Sequence, residues 1–340
     1  MKKTSVMVYV TTLLMSLLIL GGCASTEEQA SATPDWVSGI SKRYPDGLYL
    51  IGRGHGADID TAKDRARADV AKSVEVQIQQ TTSDVQTFSQ KTMGSETQSD
   101  ASLNISRQID TQTNKIIQGV TIAEIWQDPK GDFYALATLS RNQANTALSS
   151  EIKLKDDATR ILLEKTKNTD DRLHKATFLD KALILQLERS ELQRTLQAID
   201  RTGQGVATQY PANKIDATLN QVLSDIKLKP QPSGSHMQPL APILSGSIAK
   251  AGFTESKQNA DYTLQGVLDV DNLGKKEGWV WLKGTFSINL IDNNGSARGN
   301  KRWDMKVSAR DESVAQRRLL DDIAKKLDAS LRSTIIGFAK

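Results

Sequence analysis

The sequence predicts an α+β fold in which two small, sandwich-like α/β domains, each a sheet packed with amphipathic helices, are separated by a helical middle segment. Three observations predict this class. Strand and helix patterns alternate within residues 34–142 and again within residues 228–340, whereas residues 143–227 carry leucines at helical spacing and no strand signal. A signal peptide over residues 1–22 and a flexible tether over residues 23–33 are expected before the first domain.

The first 22 residues have the pattern of a secretion signal. Lys2 and Lys3 precede an apolar run from Val6 to Leu20, which is too short for a stable transmembrane span. The run ends in Leu-Gly-Gly-Cys23, which resembles the lipobox of bacterial lipoproteins. That resemblance implies cleavage before Cys23 and acyl chains, palmitate among them, on its thiol and new amino group. An uncleaved N-terminal anchor is the alternative.

Lipidation would decide where the protein is located. A single acyl chain binds a membrane only marginally, so two or three chains on Cys23 would give a lasting anchor. Ala24, rather than Asp, after the cysteine is similar to signals that sort lipoproteins to the outer membrane. The folded part is therefore expected to face the periplasm, and display on the cell surface is the alternative.

Composition favours a folded remainder that does not bind nucleic acid. The 340-residue chain has a formal net charge of +4, and its basic and acidic residues are mixed rather than grouped in blocks. Cys23 is its only cysteine, so a disulfide within the chain is excluded.

In the first domain, a short apolar strand precedes five residues with alternating glycines, which predict a tight turn into a helix capped by Asp58 or Asp60. Apolar residues recur in that helix at spacings of three and four, so it is expected to lie on a sheet. A mobile connection and a weaker second helix are expected next. The predicted elements are strand Leu48–Ile51, turn Gly52–Gly56, the helix from Asp58, and strands Val120–Gln127 and Phe133–Leu139; the segment Gln79–Asn114 is expected to contain the end of that helix, the connection and the weaker helix.

In the last domain, a helix, three strands and a closing helix are predicted, with Asn294-Gly295 forming a favoured hairpin turn between the last two strands. These elements are helix Pro239–Gly252, strands Tyr262–Val270, Trp279–Ile291 and Lys301–Val307, and helix Ser313–Leu331.

The two predicted strand-associated helices are similar to each other. Sliding residues 58–74 by 253 positions onto residues 311–327 gives six identities in seventeen and brings the two apolar stripes into register. Duplication and convergence between amphipathic helices both remain open.

The histidines and the glycine segment are the candidates for catalytic or metal-binding chemistry. His55, His174 and His236 lie in different regions without carboxylates or cysteines at metal-ligand spacing, so no metal and no cofactor are expected. Gly52-x-Gly54-x-Gly56 fits neither phosphate-binding fingerprint, so a structural turn with His55 on its surface is preferred to a phosphate site. We therefore predict no catalytic residues and no enzyme.

The strand Trp279–Ile291 contains the candidate binding residues. Its even positions are apolar and its odd positions polar, yet Trp279 and Trp281 belong to the polar side. Two indoles where water is expected need a cover, which either the central helices or a protein partner would supply. Both alternatives remain open at this stage.

Short motifs in the first domain are similar to the LPP-twenty family of bacterial outer-membrane lipoproteins. They comprise Pro34-Asp35-Trp36-Val37, Leu50 to Gly54, Ala62 with Arg65 to Ala71, Gly119-Val120, Trp126, and Tyr134 to Ala137. The resemblance implies a small α/β domain, sometimes found in flagellar accessory proteins, and no catalytic residues. More weakly, Ala260-Asp261-Tyr262 and the final helix resemble modules of periplasmic assembly lipoproteins.

We therefore expect a non-enzymatic lipoprotein anchored through Cys23, whose periplasmic domains bind envelope protein partners in flagellar or cell-wall processes. The alternatives are a cell-wall-directed enzyme and an oligomeric secretion channel. A channel would need several strands of about ten residues with apolar outward faces. Only Trp279–Ile291 is predicted to be long enough.

Overall fold

The computed structural model describes residues 33–92, 119–234 and 237–339. The predicted signal peptide, Cys23, nearly all of the tether, most of the Gln79–Asn114 connection and His236 lie outside these ranges. Helices and two separate sheets make up the described chain, so the predicted α+β class is confirmed.

The first sheet is antiparallel and has three strands in the order β1-β3-β2. Helix α2 lies on one face of this sheet and begins where predicted, since Asp58 accepts a hydrogen bond of 2.8 Å from the backbone N–H of Thr61. The elements are α1 (Asp35–Ser38), β1 (Tyr49–Gly56), α2 (Ile59–Thr92), β2 (Thr121–Gln127) and β3 (Phe133–Ser140).

The predicted glycine turn is wrong, because residues 52–56 continue strand β1. Gly52 and Gly54 face helix α2 at very short range. A Cβ atom on Gly54 would lie 1.9 Å from the carbonyl oxygen of Ala62, and one on Gly52 would lie 2.4 Å from that of Ala66. The glycines are thus explained by a close approach of helix to strand, which allows neither a side chain nor a phosphate group between them.

The opposite face of the first sheet is covered by the segment that contains α1. Trp36 is buried there, and its indole N–H donates to Glu124 Oε2 at 2.7 Å. Arg53 Nε donates to the carbonyl oxygen of Trp36 at 2.6 Å. These contacts give a physical reason for the tryptophan of the Pro-Asp-Trp-Val motif.

The middle of the chain forms three helices, α3 (Arg141–Lys167), α4 (Arg172–Ile199) and α5 (Ala212–Asp225). Helices α3 and α4 pack against each other, and α4 takes part in both hydrophobic cores. Leu192, Leu196 and Ile199 of α4 are buried in the core of the first sheet. Leu173 and Leu179, near its other end, are buried in the core of the second sheet.

The second sheet has five strands in the order β5-β4-β6-β7-β8. Strand β4 runs parallel to β5 and β6, and the remaining pairs are antiparallel. Helices α6 and α7 pack on this sheet. The elements are β4 (Lys227–Gly234), α6 (Met237–Lys250), β5 (Thr254–Glu255), β6 (Tyr262–Lys276), β7 (Trp279–Asp292), β8 (Ala297–Ala309) and α7 (Glu312–Gly337).

Strand β4 was not predicted, and two predicted strands are longer than expected. Proline cannot donate a backbone hydrogen bond, so Pro230 and Pro232 are not expected in a central strand. Beyond Leu228, however, strand β4 pairs only with β6, so both prolines lie at a free edge of the sheet. Strands β6 and β8 have 15 and 13 residues, so Trp279–Ile291 is not the only long strand.

None of the helices in the described ranges combines the length and apolar character needed to cross a bilayer. Within the same ranges, no three His, Cys, Asp or Glu side chains cluster closely enough to hold a metal ion.

Candidate partner-binding surface

The two candidate tryptophans lie at the far end of the second sheet, where strands β6 and β7 form a hairpin. Glu277 and Gly278 make its tight turn, with φ angles of 51° and 81°. Residues 271–279 of this hairpin are exposed. We call residues 271–283, together with residues 306–310 at the adjacent end of strand β8, the indole ribbon.

The predicted division of strand β7 into two faces is confirmed. Leu282, Phe286, Ile288 and Leu290 are buried in the core, whereas the odd-numbered residues between them are exposed or half-buried. Helix α7 lies on the buried face. Both indoles therefore project from the face of the sheet opposite to that helix.

Two basic side chains lie over the indoles. Lys306 Nζ is 4.9 Å from the ring centroid of Trp281, and the guanidinium carbon of Arg310 is 5.9 Å from that of Trp279. Trp279 remains 38% exposed and Trp281 is half-buried. Neither indole belongs to the hydrophobic clusters of the described residues. A cation over a ring leaves its edges open to further apolar contact.

Trp303 gives a useful contrast on the neighbouring strand. It packs against the core and stacks on Phe286, with ring centroids 5.7 Å apart and an interplanar angle of 16°. A tryptophan packed against the core is thus present in the same sheet, and its environment differs from that of Trp279 and Trp281.

Closer to the centre of the sheet, polar side chains on the same face satisfy one another across the strands. The hydroxyl of Thr285 donates to Asp304 at 3.1 Å, and Asn289 donates to Gln265 at 3.2 Å. Hydrogen bonds from Arg302 and then Thr285 hold the pKa of Asp304 below its usual value. This part of the face is internally paired.

The histidines occupy separate places. His55 lies on strand β1, where its Nε2 atom is 3.3 Å from a carboxylate oxygen of Asp132 and its ring centroid is 4.7 Å from that of Tyr134. It is exposed, as predicted, but on a strand rather than in a turn. His174 lies on helix α4, beside the second sheet.

The environment of His174 is a polar cluster centred on Asp171. That carboxylate accepts the backbone N–H of Leu173 at 2.8 Å and forms an ion pair of 2.9 Å with Arg298. The hydroxyl of Tyr262 donates to it at 3.4 Å. Burial, together with the charge of Asp171, raises the pKa of Tyr262 to about 12. These groups satisfy one another and join α4 to the second sheet, so we interpret the cluster as structural.

The sequence identified the two indoles but missed the cations above them. The signal that could have found Lys306 was the Asn294-Gly295 turn, because residues equally distant from a hairpin turn lie opposite each other. That rule places Ser308 opposite Trp281 and Lys306 opposite Lys283, as the structure does.

Comparison with known families gives a match to the first sheet and its helices. Residues 34–140 match the family described as LPP20 lipoprotein. This match confirms the resemblance expected for the first domain. It also supports a membrane-associated protein of the cell envelope that is anchored through lipid.

Solved structures with detectable similarity include two lipoproteins and a secreted protein, all below 20% identity. A minor lipoprotein of Acinetobacter baumannii is 19% identical, with 32% of this chain and 90% of that chain covered and a TM-score of 0.27. A secreted protein of Helicobacter pylori is 14% identical over 84% of this chain and 97% of that one, with a TM-score of 0.42. Rare lipoprotein B of Shewanella oneidensis is 10% identical over 33% and 91%, with a TM-score of 0.21. No curated protein matches the chain.

Proposed function

We propose that this chain is a non-enzymatic lipoprotein, held at the bacterial outer membrane by acyl chains on Cys23, with its folded part facing the periplasm. Its domains bind a protein partner of the envelope in an assembly or accessory role, flagellar or cell-wall related. The family match over residues 34–140 supports the lipoprotein assignment.

One observation carries the proposal of partner binding. Trp279 is exposed and Trp281 is half-buried on a sheet face whose other described side chains are largely polar. Tryptophan and arginine are enriched among the residues that dominate the energy of protein interfaces. Trp279 and Trp281, with Arg310 beside them, are therefore the proposed contact.

The proposed modules are the signal peptide (1–22), the acylated tether (23–33), the LPP20-like domain (34–142), the helical segment (143–227) and the C-terminal domain (228–340). The indole ribbon belongs to the last of them.

The membrane anchor is tested by Cys23→Ser. Because the acyl chains are assigned the whole membrane affinity, this variant is expected to appear in the soluble periplasmic fraction, whereas the parent chain sediments with outer membranes. Fractions are compared after a high-salt wash. If Cys23→Ser still sediments when Trp279→Ser and Trp281→Ser are added, so that partner contact cannot retain it, the anchor is not the lipid.

Partner binding is tested by replacing both tryptophans with serine. The melting temperature is expected to be nearly unchanged, because the contacts between the cations and the indoles contribute only ~1 kcal/mol to the free energy of unfolding. The partner that is recovered by crosslinking from intact envelopes is expected to be lost. Trp303→Ser is the matched control, because it removes a core-packed indole and is expected to lower the melting temperature. Leu154→Ser, at a side chain 68% exposed on helix α3, controls for loss of an exposed apolar residue and is expected to leave recovery intact.

A drop in melting temperature for the double serine variant, with recovery of the partner intact, would show that Trp279 and Trp281 serve the fold. The proposal would then lose its contact surface.

A further inference from the structure

On the outward face of the indole ribbon, basic side chains outnumber acidic ones. Lys276 pairs in register with Trp279, so both lie on the same face, together with Lys283, Lys306 and Arg310. None of these four basic groups forms a salt bridge with a described residue. Asp271 lies opposite Lys283 on this face, and Asp269 and Asp304 lie one pair further towards the centre of the sheet, opposite Thr285, so the four basic groups outnumber the acidic ones.

The strand register places two of the cations directly against each other. Lys283 of strand β7 lies opposite Lys306 of strand β8. Like charges in directly opposed positions destabilise a sheet. Two positions along the same strands, Thr285 and Asp304 instead form a hydrogen bond of 3.1 Å. Repulsion between these two lysines therefore does not stabilise the sheet, and the pair is placed where the indoles are.

The combination of lysines and indoles defines the chemistry of a complementary surface. Lys306 Nζ lies 4.9 Å from the centroid of Trp281, so a carboxylate that binds this ammonium group brings neighbouring apolar atoms against the indole. Complementary charges also guide the encounter and exclude partners of the wrong sign. Resting on the proposed function, we infer that the indole ribbon binds an acidic surface of a protein partner, with carboxylates between Lys283 and Lys306 and an apolar group on Trp281.

The structure favours a protein surface over an anionic membrane. Glu277 is at the tip of the hairpin, where a ribbon that enters the headgroup layer would meet the lipid first. A carboxylate in that place is repelled by anionic headgroups and is costly to bury. Lys276 and Trp279 flank this turn, whereas Trp281, Lys283 and Lys306 lie further from the tip, along the side of the ribbon.

The experiment is crosslinking in intact envelopes, with benzoylphenylalanine at position 273 of the full, lipidated chain, because Leu273 is 52% exposed in the ribbon and is not one of the proposed contacts. Lys283→Glu with Lys306→Glu is expected to reduce the crosslinked partner at least tenfold, because it replaces attraction by repulsion. Lys283→Arg with Lys306→Arg keeps both charges and is expected to retain the partner. Raising the salt concentration during crosslinking is expected to weaken the signal from the parent chain.

Each outcome supports or overturns the inference. A crosslink that survives the glutamate pair but is lost with Trp281→Ser would overturn the acidic partner and leave the proposed function standing. Absence of any protein crosslink at position 273 would overturn both.

A second arm tests the membrane as the ligand, using the full-length Cys23→Ser chain and sedimentation with vesicles. Vesicles of phosphatidylglycerol and phosphatidylethanolamine are compared with vesicles of phosphatidylethanolamine and phosphatidylcholine. Binding to the anionic vesicles alone, lost with the glutamate pair, would show that the ribbon recognises lipid and would overturn the acidic protein partner. We expect neither vesicle to bind.

Discussion

The corner between strand β1 and helix α2 and the corner between strand β8 and helix α7 share their local contacts. In both, an aspartate caps the helix, Asp58 accepting from Thr61 and Asp311 from Ser313 at 2.8 Å. An arginine of each helix also reaches back to the strand. Arg65 donates to the carbonyl oxygen of His55 at 2.6 Å, and Arg318 donates to that of Ser308 at 2.5 Å. Asp311, Arg318 and Ser308 each lie 253 residues after their counterparts Asp58, Arg65 and His55. The donors to the two caps, Thr61 and Ser313, do not correspond in this way.

The two corners differ in what fills the space between strand and helix. In the first, glycines at 52 and 54 place the strand backbone against the helix backbone. The corresponding residues of the second corner are Met305 and Val307, which are buried side chains. The helix stripes differ in the same direction, since Ala66 of α2 corresponds to Leu319 of α7.

This difference shows that one set of polar contacts can fix a strand–helix corner at two packing distances. The aspartate cap and the arginine position the helix, while the size of the residues between the elements sets the separation. The shared contacts are compatible with duplication and with convergence.

The largest expected effect is that of a methyl group added to the first corner. Gly54→Ala would place Cβ 1.9 Å from the carbonyl oxygen of Ala62, so helix and strand must separate. We expect the free energy of unfolding to fall by more than about 4 kcal/mol. At the corresponding position of the second corner, Val307→Ala removes atoms instead and is expected to cost about 2 kcal/mol. Both are measured by urea denaturation of the Cys23→Ser chain.

Gly246→Ala is the control for this comparison. No atom lies within 4 Å of a Cβ atom at position 246, which is exposed on helix α6, so alanine is expected to stabilise the chain by about 0.5–1 kcal/mol. Similar costs for Gly54→Ala and Val307→Ala would show that the two corners are packed alike and would remove the distinction.

A charge placed between each helix and its sheet is expected to cost less than Gly54→Ala, and to cost the same in both corners. Val70 and Ile323 correspond and are both fully buried, so Val70→Asp and Ile323→Asp should each cost about 3–4 kcal/mol by desolvation of a carboxylate. Lys72→Asp and Lys325→Asp, on the exposed faces, serve as controls and should change stability by less than about 0.5 kcal/mol. Unchanged melting for either buried variant would contradict the packing of that helix on its sheet.

The smallest expected effect comes from the matched arginines. Arg65→Met and Arg318→Met each remove one hydrogen bond to a strand carbonyl group, and each is expected to cost about 1 kcal/mol. Thermal melting of the two single variants and of the double variant measures this. A cost in one corner only would mean that the second arginine has no positioning role, and the equivalence of the corners would fail.

The sequence predicted elements whose side chains alternate clearly and failed where backbone contact decides. The stripe from Ala62 to Val74 predicted helix α2, because apolar spacing follows the helix period directly. Gly52 and Gly54 were taken for a turn, since a glycine in a strand has the same local signal as one in a turn. The two are distinguished by the packing of helix α2 against the strand, which the local sequence does not reveal.

Prediction of the candidate site was partial for a similar reason. Alternation along strand β7 placed Trp279 and Trp281 on the polar face, which the structure confirms. Lys306 lies on strand β8 and Arg310 follows its last residue, so finding them required the register that the Asn294-Gly295 turn sets between β7 and β8. The free edge that accommodates Pro230 in strand β4 likewise depends on neighbouring strands.

Helix α4 makes the first domain depend on residues that are synthesised much later. Of the fifteen buried residues described in the first core, six follow residue 140, where the family match ends, and three of these are on α4. A chain that emerges from its N-terminus can therefore pair β1, β2 and β3 and pack α2 on them before the residues that complete this core are available. The segment that matches the family, residues 34–140, is therefore shorter than the segment needed to form the complete core. A fragment that ends at residue 140 would expose apolar surface and would be prone to aggregation.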